Sequence, residues 1–300
     1  KVSREGRTPI TGAPYLICRK PLEKTIICYC AGTIGTRLKG MGMADQLARR
    51  TGRRLGLVWL DNDPLCRSSF PALFANPIPL ISEEEMLDLS SCKIYAHIKE
   101  VSDQALISGG KALRKAVQKW GTFEIGDISL DDTENHIILF APKSKIVSLK
   151  EDPDNLISRL LPTIPIQKRI RELATRFAID KRIVGVHARG TDFGIQADAY
   201  ARQMQKAIDQ NANQTFLVCS DDRSYEQTFR TKFPGHVIVR PKSAWLQKKD
   251  TKLPWALGNI DTSRASVEEA LIDLYLLAHT QFSIYHESSA YAQAGAWLSR

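Results

Sequence analysis

From residue 166 to residue 298, short β-branched and apolar runs alternate with amphipathic segments of helical length, and few folds accommodate that order. The runs at 182–187, 215–219, 236–239 and 281–285 read as strands, and the segments at 166–177, 199–209, 223–233, 267–279 and 289–298 as helices. Strands joined through helices predict a parallel sheet of the α/β class, with ligands at its carboxyl edge. The first half opens the same way, with a strand at 25–30, a glycine turn at 32–35, a helix at 37–51 stopped by Thr51 and Gly52, and a strand at 54–60. Residues 61–81 hold four prolines and predict a long structured loop; a short acidic helix at 82–89, a helix at 104–120 and a strand at 136–140 follow. The expected organisation is an irregular arm at 1–24, an amino-terminal α/β domain at 25–160 and a second one at 161–300.

Three strands of the second half end in polar clusters. His187-Ala188-Arg189-Gly190-Thr191-Asp192 follows the apolar residues 183–186, and alternation puts His187 and Arg189 on one face while Gly190 permits a turn or a close approach. Ser220-Asp221-Asp222 follows Cys219 and offers carboxylates to hydroxyls, base amines, an arginine or a cation; capping of the helix from Arg223 is the alternative. His286-Glu287-Ser288-Ser289 opens the last helix, where hydroxyls and free backbone N–H groups suit a phosphate and a serine cap is again the plainer reading. Together the three clusters predict one pocket for an anionic ligand.

Charge and composition narrow the partner. At 300 residues and 43% hydrophobic content the chain can bury two domain-sized cores, and no apolar run approaches the ~20 residues that span a bilayer. The net charge of +9 suits nucleic acid, an acidic surface or a phosphorylated small molecule. The cations are scattered through amphipathic segments without interleaved aromatics, which argues against nucleic acid. Six cysteines, none in C-x-x-C spacing, read as reduced buried thiols and favour a cytoplasmic location; a Golgi or other lumenal one stays open if an upstream anchor has been removed. Residues 1–24 are too charged and proline-rich for a signal-peptide core.

The order of these motifs over residues 25–300 resembles the fucosyltransferase superfamily, especially the bacterial nodulation-type and core α1,6-fucosyltransferases. The likeness rests on the glycine turn and helix at 32–51, H-x-R-x-T-D at 187–192, S-D-D at 220–222, and above all the closing segment from Glu269 through Asp273 and Phe282 to Ser288-Ser289. It implies a GT-B-like fold of two Rossmann-like halves whose parallel sheets face a cleft. It also implies an inverting glycosyltransferase that moves fucose from GDP-fucose to a glycan hydroxyl, with no cofactor and no metal. By motif position His187 and Asp273 approach the guanine, Arg189 and Ser289, with Ser288 beside it, the diphosphate, and Asp221 with Asp222 the nucleoside or hexose. A fixed guanidinium among helix-terminal donors would stabilise the charge growing on the leaving diphosphate.

The chain departs from that pattern at two places. Gly190 stands where related enzymes usually carry a second arginine, and near Ala197, where the α1,6 enzymes place a glutamate base, the nearest acid is Asp198. Arg189, Asp192 and Asp198 are the catalytic candidates, with Glu287 a further possible base. Arg37, Asp61 and Asp63 are candidate acceptor contacts, with a helix-surface arginine and solvated loop aspartates as the alternatives; Trp59, Trp245 and Trp255 offer stacking surfaces, Trp59 equally a core position. The competing functions are transfer from another nucleotide sugar and non-catalytic nucleotide or glycan binding on the same fold.

Overall fold

A computed structural model describes residues 24–96, 111–124, 134–140, 155–190, 197–253 and 259–299. The first sheet comprises β1 (Thr25–Cys30), β2 (Arg54–Trp59), β3 (Cys92–Ala96), β4 (Phe123–Glu124) and β5 (His136–Phe140), all parallel, in the order β2-β1-β5-β3-β4. The second comprises β6 (Val184–Ala188), β7 (Phe216–Ser220), β8 (Val237–Ile238) and β11 (Gln281–Ile284), also parallel, in the order β11-β6-β7-β8. Between β8 and β11 in sequence, β9 (Gln247–Lys248) and β10 (Ile260–Asp261) form a small antiparallel ribbon. The α/β class and the parallel sheets match the alternation in the sequence.

Strand periodicity decides which face each residue joins. On β1, Ile26, Cys28 and Cys30 point into one core with Leu38, Met41 and Leu47 of helix α1 (Ile34–Thr51), while Ile27 and Tyr29 point to the other face. There they meet Met86 of α3 (Glu83–Leu87) and Leu113 of α4 (Lys111–Trp120). On the second sheet Val186 and Val218 face Tyr200 and Met204 of α7 (Ala197–Gln210) and Phe229 of α8 (Arg223–Lys232), whereas Leu217 and Cys219 face inward. The inward residues share a core with α1, α6 (Ile164–Arg176), α9 (Arg264–Ala278) and α10 (Ala290–Leu298), so one helical layer lies between the two sheets.

Several boundaries differ from the sequence reading. Helix α1 begins at Ile34 rather than residue 37, and α9 at Arg264 rather than residue 267, because Ser263 and Ser266 form a reciprocal capping box ahead of the first apolar position. Strand β3 was not expected: Lys93 interrupts its apolar run, and its pairing with β5 and β4 is non-local. Within the proline-rich stretch lies a short helix, α2 (Phe70–Leu73), and Leu80 bridges to Leu57. The polar stretch after β8 contributes the ribbon. The arm at 1–23 and residues 104–110 of the expected helix lie outside the described residues. Cys28, Cys30, Cys66, Cys92 and Cys219 are free and buried, and Cys18 lies outside the described residues.

The helical layer is tightest where α1 meets α10. A Cβ on Gly35 would lie 2.4 Å from Tyr291 Cα and 2.5 Å from its backbone nitrogen, so only glycine fits. Gly→Ala inside a helix normally stabilises by up to about 1 kcal/mol. Here the sign reverses: Gly35→Ala should destabilise by about 1–3 kcal/mol in chemical denaturation, and an unchanged or raised midpoint would refute this close contact.

Candidate functional site

The carboxyl ends of β6 and β7 open into a cavity between the sheets. His187, Arg189 and Asp221 line it from the second sheet; Thr33, Ile34 and Gly35 line it from the start of α1. Trp245, Ile260 and Thr262, in and around the ribbon, border it as well. Sheet edges and helix starts converge here because both Rossmann-like halves present their strand ends to the same side.

Arg189 is held from both ends. Its backbone N–H donates to the Tyr200 hydroxyl at 3.2 Å, and its guanidinium stands 3.7 Å from Asp221 Oδ2, while Asp221 Oδ1 accepts the Gly190 N–H at 2.8 Å. A Cβ on Gly190 would lie 2.7 Å from Asp222 Cβ, which gives a steric reason for glycine where a second arginine was expected. Asp222 itself caps α8, accepting the Ser224 N–H at 2.8 Å and its hydroxyl at 2.7 Å. The capping alternative therefore describes Asp222, and Asp221 is the member of the pair that reaches the cavity.

His187 is buried and its ring lies 4.6 Å from that of Tyr291 at an interplanar angle of 32°. Its Nδ1 has no hydrogen-bond partner among the described residues. Burial pushes the imidazole down to about 3, reinforced by the charges of Arg189 and Lys242 and opposed by Asp273. At neutral pH it presents an uncharged ring with one buried nitrogen unsatisfied.

Asp273 borders the cavity, but both its oxygens are engaged: Oδ1 accepts from Arg240 Nε at 2.5 Å and Oδ2 from Lys242 Nζ at 2.8 Å. Lys242 also donates to Ser220 O at 2.7 Å and Glu226 Oε1 at 2.6 Å, and lies 4.3 Å from the Trp245 ring centroid. Arg240 pairs with Glu269, whose other oxygen accepts the Ser243 N–H at 2.9 Å and hydroxyl at 2.6 Å. Burial alone would raise the Asp273 carboxyl, yet Arg240 and Lys242 hold it below the usual carboxylate range. Burial pushes Glu226 up to about 7 against the pull of Lys242. Asp273, expected beside a base, borders the cavity as the centre of this ion network.

Other expected residues lie elsewhere. Ser289 is the buried cap of α10, accepting the Ala292 N–H at 3.2 Å, and Ser288 is exposed with its N–H directed to His286 Nδ1; neither borders the cavity. Asp198, in the first turn of α7, is exposed and pairs with Lys232 at 3.1 Å, and Glu287 is exposed; both lie off the cavity. Asp192 and Trp255 lie outside the described residues.

Arg37 and Asp63 are neither surface arginine nor solvated aspartate. Asp63 Oδ2 accepts the Gly32 N–H at 2.6 Å and Arg37 Nε donates to Gly32 O at 2.9 Å, so this buried pair fixes the glycine turn before α1. The Arg37 guanidinium stands 4.5 Å from the Trp59 ring centroid, and Trp59, a core residue, donates to Ser68 O at 2.7 Å. Asp61 is exposed, its carboxyl raised by partial burial.

The sequence reading missed Arg240, Glu226 and Glu269 as a network and Tyr291 as a wall. Two cations at alternate positions, 240 and 242, just beyond an apolar strand were the available signal. The helix start that borders the cavity is that of α1, which has no acidic residue in its first turn and whose cap residue Thr33 makes no side-chain cap bond. Among the described residues no group of three or more His, Cys, Asp or Glu side chains is arranged to hold a metal ion, and no helix is long and apolar enough to cross a membrane.

Two expectations test this geometry. Gly190→Ala should cost about 1–3 kcal/mol through overlap with Asp222, and a denaturation midpoint equal to the parent's would contradict that overlap. The unfolded chain protonates His187 near its ordinary value of 6.5 and the folded chain only near 3. Its stabilising contribution, complete above pH 6.5, is therefore lost as the pH falls through that window, at up to about 1.4 kcal/mol per pH unit. Unfolding free energies of the parent should fall more steeply from pH 6.5 downward than those of His187→Gln; parallel slopes would rule out the buried neutral imidazole.

No protein-family model and no curated protein sequence matches the chain. Solved structures do. NodZ fucosyltransferase from Bradyrhizobium superimposes with a TM-score of 0.59 at 22% identity, over 91% of this chain and 92% of that one. NodZ α-1,6-fucosyltransferase soaked with GDP-fucose gives 0.59 at 21% identity, over 92% of each chain. The apo form of POFUT1 gives 0.55 at 12% identity, over 93% of this chain and 95% of that one. The chain has the GT-B fold of these fucosyltransferases, with its cavity between the two parallel sheets.

Proposed function

We propose that the chain is an inverting glycosyltransferase that moves fucose from GDP-fucose to a glycan hydroxyl by single displacement, without a resident metal. The observation that carries this reading is the convergence of Arg189, the amino-terminal turn of α1 and the unsatisfied His187 Nδ1 on one cavity. The first amides of a helix lack intrahelical acceptors and sit where the macrodipole is positive, so they suit a phosphate. Arg189, braced by Asp221, supplies a charge-assisted donor for the diphosphate as it leaves. His187 offers a neutral polar edge to the base. NodZ soaked with GDP-fucose is a relative in fold for which that donor is recorded.

In this reading residues 161–300 bind the donor, residues 25–160 contribute the acceptor side, and the enzyme works in the cytoplasm. Since Asp198 and Glu287 lie off the cavity, we assign the base to Asp192, two positions beyond Gly190 in sequence. Trp245 provides a stacking face at the rim.

A thermal-shift series with GDP, UDP, ADP and CMP, each with and without EDTA, tests the donor. Selective stabilisation by GDP that survives EDTA and disappears in Arg189→Ala is expected; an equal response to all four nucleotides would remove the basis of the proposal. Release of GDP from GDP-fucose should fall about 10²- to 10³-fold in kcat/KM in Arg189→Ala. Binding of GDP with no turnover of GDP-fucose, with or without glycan acceptors, would identify a nucleotide-binding protein instead.

A further inference from the structure

Among the described residues, the two most exposed large apolar side chains stand three positions apart: Leu161 is 57% exposed and Ile164 75%. Their exposure is not that of a loose loop. Ala75 N–H donates to Leu161 O at 2.8 Å, Leu161 N–H to Asn76 Oδ1 at 2.7 Å, and Thr163 N–H to Leu73 O at 3.0 Å. The backbone is pinned, and the two aliphatic side chains are held outward beside Pro162 and Pro165.

Ile164 begins α6, whose inward stripe is Ile166, Ile170 and Leu173. The outward stripe at helical spacing is Ile164, Lys168, Arg171 and Thr175, all exposed. Lys168, Arg171 and Arg176 border one shallow groove with Glu172, and Glu172 stands 3.9 Å from Arg169. Four cations therefore accompany one acid on this helix, and an apolar tip leads it.

We propose that this face docks on an anionic lipid bilayer, with Leu161 and Ile164 entering the headgroup boundary and Lys168 and Arg171 meeting lipid phosphates. Aliphatic tips with a cationic flank suit such an interface, where apolar insertion and surface charge act together. A nucleic acid would be expected to use exposed aromatics as stacking platforms; here Phe74, bridged to Pro162 at the tip, is buried, and Phe177, at the carboxyl end of α6, lies under the Arg176 guanidinium at 5.3 Å. A protein partner calls for a broad apolar area rather than two isolated tips. The inference is independent of the donor proposed above.

Co-sedimentation with vesicles tests it, comparing phosphatidylcholine alone with phosphatidylcholine mixed with phosphatidylglycerol. The parent is expected to sediment with the anionic vesicles, less so at high salt, and to stay in solution with the neutral ones. Leu161→Ser with Ile164→Ser, and separately Lys168→Gln with Arg171→Gln, should each weaken binding about tenfold or more with unchanged thermal midpoints. Absence of sedimentation with anionic vesicles at low salt, equal sedimentation with neutral vesicles, or variants that bind like the parent would each overturn the proposal. A dimer dissociated by the tip substitutions without vesicle binding would assign the face to a second copy. Retention of an RNA homopolymer without vesicle binding would assign it to nucleic acid. Both results also overturn the proposal.

Discussion

Lys242 places one ammonium between Asp273, Glu226 and Ser220 O, and with Arg240 on the opposite side of Asp273 it welds the end of β7, the start of α8, helix α9 and the segment after β8 into one unit. A buried charge is tolerated only when its partners are in place, and removing one partner of such a pair typically costs about 3–5 kcal/mol. The geometry of the cavity wall depends on this condition. Because α9 is fixed by charges rather than by apolar packing alone, its Val267, Ala270 and Asp273 meet the cavity in one defined register.

The same cluster sets the electrostatics around His187. Burial chiefly keeps the imidazole neutral, and two cations, Arg189 and Lys242, further disfavour a third charge beside them. For the proposed donor, a neutral ring among cationic groups would divide the work within one pocket, with charge recognition left to Arg189 and the α1 amides and shape and hydrogen bonding to His187. Gly190 belongs to this economy of space. The close approach of Asp222, needed to cap α8, leaves no volume for a second side chain after Arg189.

The parts of this arrangement that were legible in the sequence are those encoded locally. Apolar strands followed at once by His187, Arg189 and Asp221 announce strand ends that carry a site, and the alternation of periods fixes the α/β class. Asp273 was legible as a member of a motif but its pairing with Arg240 was not, because Arg240 lies 33 residues away and the contact forms only in the folded chain. Ser289 and Asp222 show a different difficulty: a residue that caps a helix and a residue that binds a phosphate have the same local signature, and only the position of the cavity distinguishes them. Strand β3 carries too little local pattern to compete with Lys93, and its neighbours in the sheet decide the matter.

The contact between Gly35 and the Tyr291 backbone lies at the cavity, since both residues line it. On the other side the ribbon is tied across the cleft, with Thr262 N–H and hydroxyl both donating to Pro64 O, at 3.1 and 2.9 Å, and Arg67 paired with Asp261 at 3.3 Å. These two ties differ in kind. The first is backbone against backbone, with no side chain that could turn aside; the second is a set of polar bonds, buried at Thr262 and open to solvent only at Arg67 and Asp261, so one side of the cleft is closed by shape and the other by directed bonds.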